Sequence, residues 1–259
     1  MSQFVVLLKK ELLESWRNFK WIWMPLTFIL LGVMDPITQN YLPKILDTMG
    51  DLPEGAVIQL PVPSAEEVIS MSLANIDMLG ILILVLASMG IIAGERKSGV
   101  AAMILVKPVS HHYFVMSKWL SSLLLMWISL FLGLLASWYY TGLLFEFIPF
   151  SDFLLSFVLY GIWLSLVITI TIFYNAFLKT PGLVGFISLA TIIILNMVSG
   201  ILTEWLAWSP ARLMSYASQS LMQDGLPENT IASIVLTVLI MIVLLFTSVF
   251  IFRKKELAV

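Results

Sequence analysis

The stretch ILILVLASMGIIA (residues 81–93), followed at once by GERKSG (residues 94–99), decides what kind of protein this is. An uncharged apolar run passes straight into a charged turn bounded by two glycines. A second uncharged run, Trp119 to Phe145, starts shortly afterwards. Between them lie Glu95, Arg96, Lys97, Lys107 and Lys118, together with the chain's two histidines, His111 and His112. A compact charged segment held between two membrane spans is placed to receive a force or a partner from the water side.

Composition points the same way. Of the 259 residues, 60% are hydrophobic and 12% charged, about half the charged fraction of ordinary soluble domains, ~25%. Backbone polar groups must be satisfied inside lipid, which leaves helices or a closed barrel. The apolar runs are ~20 residues long, the length a spanning helix needs, and they do not alternate at period two. The expected fold is therefore an all-α integral membrane protein with six transmembrane helices. The net charge of −2 suggests no nucleic-acid partner, and the absence of cysteine excludes disulfides and Cys-ligated zinc. No cleavable signal peptide is read.

Residues 2–20 form an amphipathic pattern: Phe4, Val5, Leu8, Leu12, Trp16 and Phe19 share one face, with Lys10, Glu14 and Arg17 opposite. Such a helix lies in the membrane interface or leads directly into the first span. The spans are expected at about 21–42, 76–93, 118–144, 152–178, 183–203 and 229–252. An outer loop occupies 43–75 and a cytoplasmic loop 94–117. A re-entrant or interfacial helical hairpin fills 204–228, within a single transmembrane domain, 1–259. Ser64 and Glu67 have capping-box spacing, which starts a helix before the second span. Gly90 and Gly94 form a GxxxG that suits close helix packing. Asp35 is 15 residues past Lys20, ~22 Å along a helix, which sets it near the outer interface. Asp77, Asp152 and Glu204 are read near outer ends too.

Sidedness follows from positive charge. With six spans, the N-terminus, the 94–117 loop, the turn at 179–182 and the C-terminus share one side, and they carry every Lys and Arg except Lys44 and Arg212. That side is expected to be cytoplasmic.

The chemical motifs are negative. Gly94 to Gly99 has the glycine spacing of a phosphate loop, but Val100 stands where lysine is required. Adjacent histidines point to different helix faces and are poor co-ligands for one metal. No Ser-His-Asp set can be assembled. No catalytic residue, metal site or cofactor is expected, and the chain is not read as an enzyme. Asn196 and Asp35 are possible pathway residues; for Asn196 a hydrogen bond between helices is the alternative. Six helices with no internal energy source and a charged cytoplasmic loop suit a permease driven by a separate ATPase.

These features resemble the ABC-2 type transporter permeases, membrane subunits of ABC exporters. The resemblance is carried by Glu95-Arg96-Lys97-Ser98-Gly99, by Pro108-Val109-Ser110, and by Ser117-Lys118 opening the third span. The amphipathic N-terminal helix, the hairpin before span six and the basic end Phe252-Arg253-Lys254-Lys255 also match. The chain departs from the family pattern at His111 and His112, where arginine is common, at Ser117, and at Val100-Ala101. The resemblance implies a dimeric permease, of two copies or two paralogues, in a bacterial plasma membrane, docked on a cytoplasmic ABC ATPase. ATPase-coupling residues would be Glu95, Arg96, Lys97, Gly99, Lys107, Pro108, Ser110 and His111, with Lys10, Glu14 and Arg17 on the interfacial helix. An apolar pathway with few charges favours an amphiphilic substrate such as a peptide antibiotic, lipid or drug. The competing readings are a non-transporting assembly or signalling scaffold, a sodium-extruding permease, and an intramembrane enzyme.

Overall fold

A computed structural model describes residues 3–48, 63–100, 110–223 and 225–256. Among these, the helices are α1 (Gln3–Arg17), α2 (Lys20–Thr48), α3 (Ala65–Asn75), α4 (Ile81–Ser88), α5 (Ala93–Lys97), α6 (His111–Leu144), α7 (Phe150–Phe177), α8 (Pro181–Ile201), α9 (Arg212–Met222) and α10 (Thr230–Glu256). A π-helical turn, Ile76–Gly80, joins α3 to α4. Six stretches are long and apolar enough to cross a membrane: Lys20–Pro43, Ala65–Lys97, His111–Leu144, Phe150–Phe177, Pro181–Ile201 and Thr230–Lys254. The protein is an all-helical, multi-pass membrane protein, as its hydropathy requires.

The second span starts earlier than its hydropathy suggests, at Ala65. The Ser64 hydroxyl accepts from the Glu67 amide at 3.3 Å, and the Glu67 carboxylate accepts from the Ser64 amide at 3.0 Å. This reciprocal pair satisfies two donors that a helix start leaves open, so the helix runs from Ala65 through the bilayer. One expectation is corrected as a result. Asp77 is not at an outer end but twelve positions inside this helix, ~18 Å along it. α2 also runs on past Asp35, by thirteen positions, to Thr48.

α7 is the hub. Its spanning window is 72% buried inside the protein, against 28% for α8 and 17% for α10, so α8 and α10 are peripheral. Indole N–H groups of α6 bond across to α7: Trp119 to the Thr169 hydroxyl at 2.9 Å and Trp127 to the Ser165 hydroxyl at 3.1 Å. The tightest helix pair is α2 with α6. A Cβ placed on Gly32 would meet the Gly133 carbonyl oxygen at 2.1 Å, and one on Gly133 would meet the Phe28 carbonyl oxygen at 2.7 Å. Small residues let backbones approach this closely in lipid, where packing rather than the hydrophobic effect joins helices. The GxxxG at Gly90 and Gly94 does no such work. A Cβ on Gly94 would meet nothing within 4 Å, and one on Gly90 would touch only Pro181 at 3.9 Å.

The segment before the last span forms turns at 203–208 followed by α9. Leu213, Tyr216, Ala217 and Leu221 bury one face of α9, which packs on α7 and α3. The Tyr216 hydroxyl ties it back to the Ala207 carbonyl at 2.6 Å.

Candidate coupling site

The end of the bundle that holds α1 and α5 carries a charge cluster built from three separate parts of the chain. Lys118, in the second turn of α6, is 1% exposed. Its ammonium lies 2.9 Å from Glu11 Oε1 of α1 and 2.9 Å from Glu95 Oε2 of α5. The first contact is a directed hydrogen bond; the second is an ion pair off the hydrogen-bond direction. Lys10 closes the cluster from outside. Its ammonium is 3.0 Å from Glu11 Oε1 and 3.1 Å from Glu14 Oε2, and it donates to Glu95 Oε1. Burial disfavours the Lys10 ammonium, but the Glu95 hydrogen bond and the charges of Glu11 and Glu95 outweigh it and hold its pKa above the ordinary lysine value.

Glu11 is the one buried residue of α1. The helix is thus anchored by charge, and Val5, Val6, Leu13 and Trp16 face outward. The apolar face expected from the sequence is split: Phe4, Leu8 and Leu12 turn toward the bundle while Val5 and Trp16 turn away. Outward apolar residues on a half-polar helix suit the headgroup boundary of a bilayer. Arg17 is exposed at the end of α1.

α5 is fixed by more than Glu95. The helical path breaks at residues 89–92, which leaves backbone groups without intrahelical partners. Asn175 of α7, fully buried, takes them up. Its Oδ1 accepts from the amides of Ile92 at 3.2 Å and Ala93 at 3.0 Å; its Nδ2 donates to the Ser88 carbonyl at 3.1 Å, which also accepts from the Ile91 amide, and to the Thr171 carbonyl of its own helix at 2.9 Å. Arg96 donates to the Ala176 carbonyl at 3.1 Å and lies 5.8 Å from the centroid of the Phe252 ring. Phe252, near the end of α10, stacks on Phe114 at 5.1 Å and meets His111 edge-on at 6.0 Å. The start of α6 and the ends of α7 and α10 therefore converge on α5.

The charged turn divides into two faces. Glu95 and Arg96 point into the bundle. Lys97 and Ser98 are exposed. Gly99 follows with φ +78°, a left-handed conformation that glycine adopts without steric cost. Ser110 is exposed at the start of α6, and His112 is exposed beside Tyr113. Lys107 and Pro108 of the expected coupling loop lie outside the described residues. So do the acidic loop residues Asp51 and Glu54.

A cavity of about 470 Å³ adjoins the cluster between α1, α2, α4 and α6; Glu14, Asn18, Lys20, Leu86, Lys118 and Ser122 are among its lining residues. Lys20 donates across it to the Ala87 carbonyl at 2.7 Å. The carboxylates of Glu11, Glu14 and Glu95 lie within 4.8 Å of one another, and each is already paired with Lys10, Lys118 or both, so the grouping reads as an ion-pair network.

The possible pathway residues lie elsewhere. Asp35 has both oxygens 2.8 Å from the Asn75 amide nitrogen. Asn196 is half-buried on peripheral α8. Neither approaches the coupling cluster.

Glu11, Lys20 and Asn175 were not singled out by sequence reasoning. One signal was available for Glu11. Lys118 opens a long uncharged span, and a lysine there demands a carboxylate. Glu11 interrupts the stripe Leu7, Leu8 and Ser15 on one face of α1.

Six candidate spans, one of them a buried hub, with an amphipathic lead helix clamped to a charged turn, define a polytopic membrane protein. The family profile of the ABC-2 family transporter proteins matches residues 5–257, and the chain belongs to that family. A transmembrane protein of Bacillus subtilis (strain 168), YxlG, itself described as uncharacterized, is 29% identical over 256 residues, covering 99% of each chain.

Proposed function

We propose that this protein is the membrane subunit of an exporter, energised by a separate cytoplasmic ATPase and working as a pair of permeases. The observation that carries the reading is the Glu11–Lys118–Glu95–Lys10 cluster, which joins the lead helix, the charged turn and span three into one mechanical unit at the positively charged end. A push on the turn is passed to α1 through Glu95 and Lys10, to α6 through Lys118, and to α7 through Asn175 and Arg96. The cavity beside the cluster leaves room for α1 to shift. Lys97, Ser98, Ser110 and His112 form the outward surface available to an ATPase, while Glu95 and Arg96 transmit. Lys107 and Pro108 are assigned to the same surface on the family resemblance alone.

In this reading the N-terminus, the charged turn and the C-terminus are cytoplasmic, in keeping with the positive charge they share. The cysteine-free chain makes this testable. A photoreactive crosslinker on Lys97→Cys or Ser98→Cys is expected to capture an ATPase subunit from the native membrane. Labelling of Lys97→Cys by an impermeant maleimide from outside intact cells, or purification of active permease with no ATPase attached, would refute the reading.

A further inference from the structure

The π-helical turn Ile76–Gly80 carries a carboxylate that the coupling site does not use. The Trp163 indole N–H donates to Asp77 Oδ1 at 3.0 Å, and the Tyr160 hydroxyl reaches the same oxygen at 3.4 Å. Trp163 is the fourteenth of the 28 residues of α7, so Asp77 sits level with the middle of the hub helix. Both rings are fully buried. π-turns inside helices are frequent at functional sites because the extra residue re-aims a side chain. Here the turn aims Asp77 at α7 while Met78 beside it is 77% exposed.

The two oxygens of Asp77 differ. Oδ1 takes both donors. Oδ2 has no hydrogen-bond donor among the described residues and is not sealed from the outside. Among the described residues no lysine, arginine or histidine pairs with Asp77, whereas Asp35 has Asn75 on both its oxygens. Intramembrane carboxylates face cavities or partners, not acyl chains. The face around Asp77, Met78 and Leu79 is open in the single chain, so the carboxylate is accessible to a cargo.

We infer that Asp77, held by Trp163 and Tyr160, binds the charged group of a lipophilic organic cation. This deepens the export reading by naming the chemistry of the cargo, and it rests on that reading for its physiological meaning. A metal ion fits poorly. Hard cations need several oxygen ligands, and one free carboxylate oxygen beside methionine and leucine does not supply them. A bulky organic cation is weakly hydrated and needs a single opposing charge. Its apolar body is matched by the exposed side chains of Met78 and Leu79.

The test uses full-length permease in phospholipid nanodiscs, without the ATPase. Its probes are tetraphenylphosphonium and tetraphenylborate, which share a shape and differ in sign. Saturable binding of the phosphonium is expected, weakened at least tenfold by Asp77→Asn and largely restored by Asp77→Glu, with no saturable site for the borate. On the unaltered protein, the phosphonium should also protect Asp77 from a hydrophobic carbodiimide, read by mass spectrometry; this arm does not depend on a variant folding. Equal binding of the two ions, unchanged affinity in a folded Asp77→Asn protein, no saturable phosphonium site, or absence of protection would each overturn the inference. Loss of the ATPase partner with phosphonium binding intact would sink the export reading instead.

Discussion

Replacing Lys118 by methionine removes one ammonium from between two carboxylates while keeping most of the side-chain volume. Lys118 is almost fully buried, and Glu11 and Glu95 each lie 2.9 Å from it. Breaking a buried ion pair from one side costs about 3–5 kcal/mol, because the partner charge is left without compensation. In this cluster both stranded carboxylates keep Lys10, so the loss should fall near the lower limit, about 3 kcal/mol. Glu11→Gln is milder. It leaves Lys118 on Glu95 and Lys10 on Glu14 and Glu95, and should cost about 1–2 kcal/mol, the scale of a charged hydrogen bond. The double variant leaves Lys10 with Glu14 and Glu95 and removes the Glu11 charge that Lys118→Met alone would strand. Its loss should be smaller than the sum of the singles by about 1–2 kcal/mol, as for groups in direct contact. The assay is equilibrium unfolding of the purified protein in mixed dodecyl sulfate micelles, read by tryptophan fluorescence. A Lys118→Met protein within 0.5 kcal/mol of the parent, about the scatter of neutral surface changes, would refute the assignment. Strictly additive singles would show that Glu11 and Lys118 do not meet.

Other consequences can be checked alongside. Gly133→Ala puts a methyl group where the Phe28 carbonyl oxygen lies 2.7 Å away; it should separate α2 from α6 and lower the amount of folded protein recovered by gel filtration, while Gly94→Ala, with open space around it, should not. Asn175→Ala strips the acceptor from the amides of Ile92 and Ala93, each buried unsatisfied group costing about 1–3 kcal/mol; faster amide hydrogen exchange at residues 92–93 is expected, and unchanged exchange would argue against the latch. Gly99→Ala meets no clash but holds φ +78°, a strain of about 1–2 kcal/mol for an L-residue; it should reduce ATPase crosslinking at position 97 without altering unfolding of the bundle.

Much of the fold could be read from local composition. The runs at 81–93 and 119–145 announce helices in lipid, and the basic residues at their ends mark one face of the bundle. The capping box at Ser64 could also be read, since Ser and Glu three residues apart stabilise a helix start wherever they occur; taking the span to begin at residue 76 missed the eleven helical residues it announces, and so misplaced Asp77. The GxxxG at Gly90 misled for a different reason. Glycine permits close approach but does not choose a partner, and the helices that touch through bare backbone are joined at Gly32 and Gly133.

Sequence by itself determined that the chain is helical, that it spans the membrane six times, and that Glu95 to Gly99 interrupts the lipid-soluble stretch, because hydropathy and chain length are properties of contiguous residues. Tertiary structure decided which way the charges of that turn point. Glu95 and Arg96 turn inward, to Lys118 and to the Ala176 carbonyl, and Lys97 turns outward. It also brought Glu11 to Lys118 across 107 positions of chain and set Asp77 against Trp163 in the middle of α7. Such pairings depend on the relative depth and rotation of helices distant in sequence, and those are settled by packing among them.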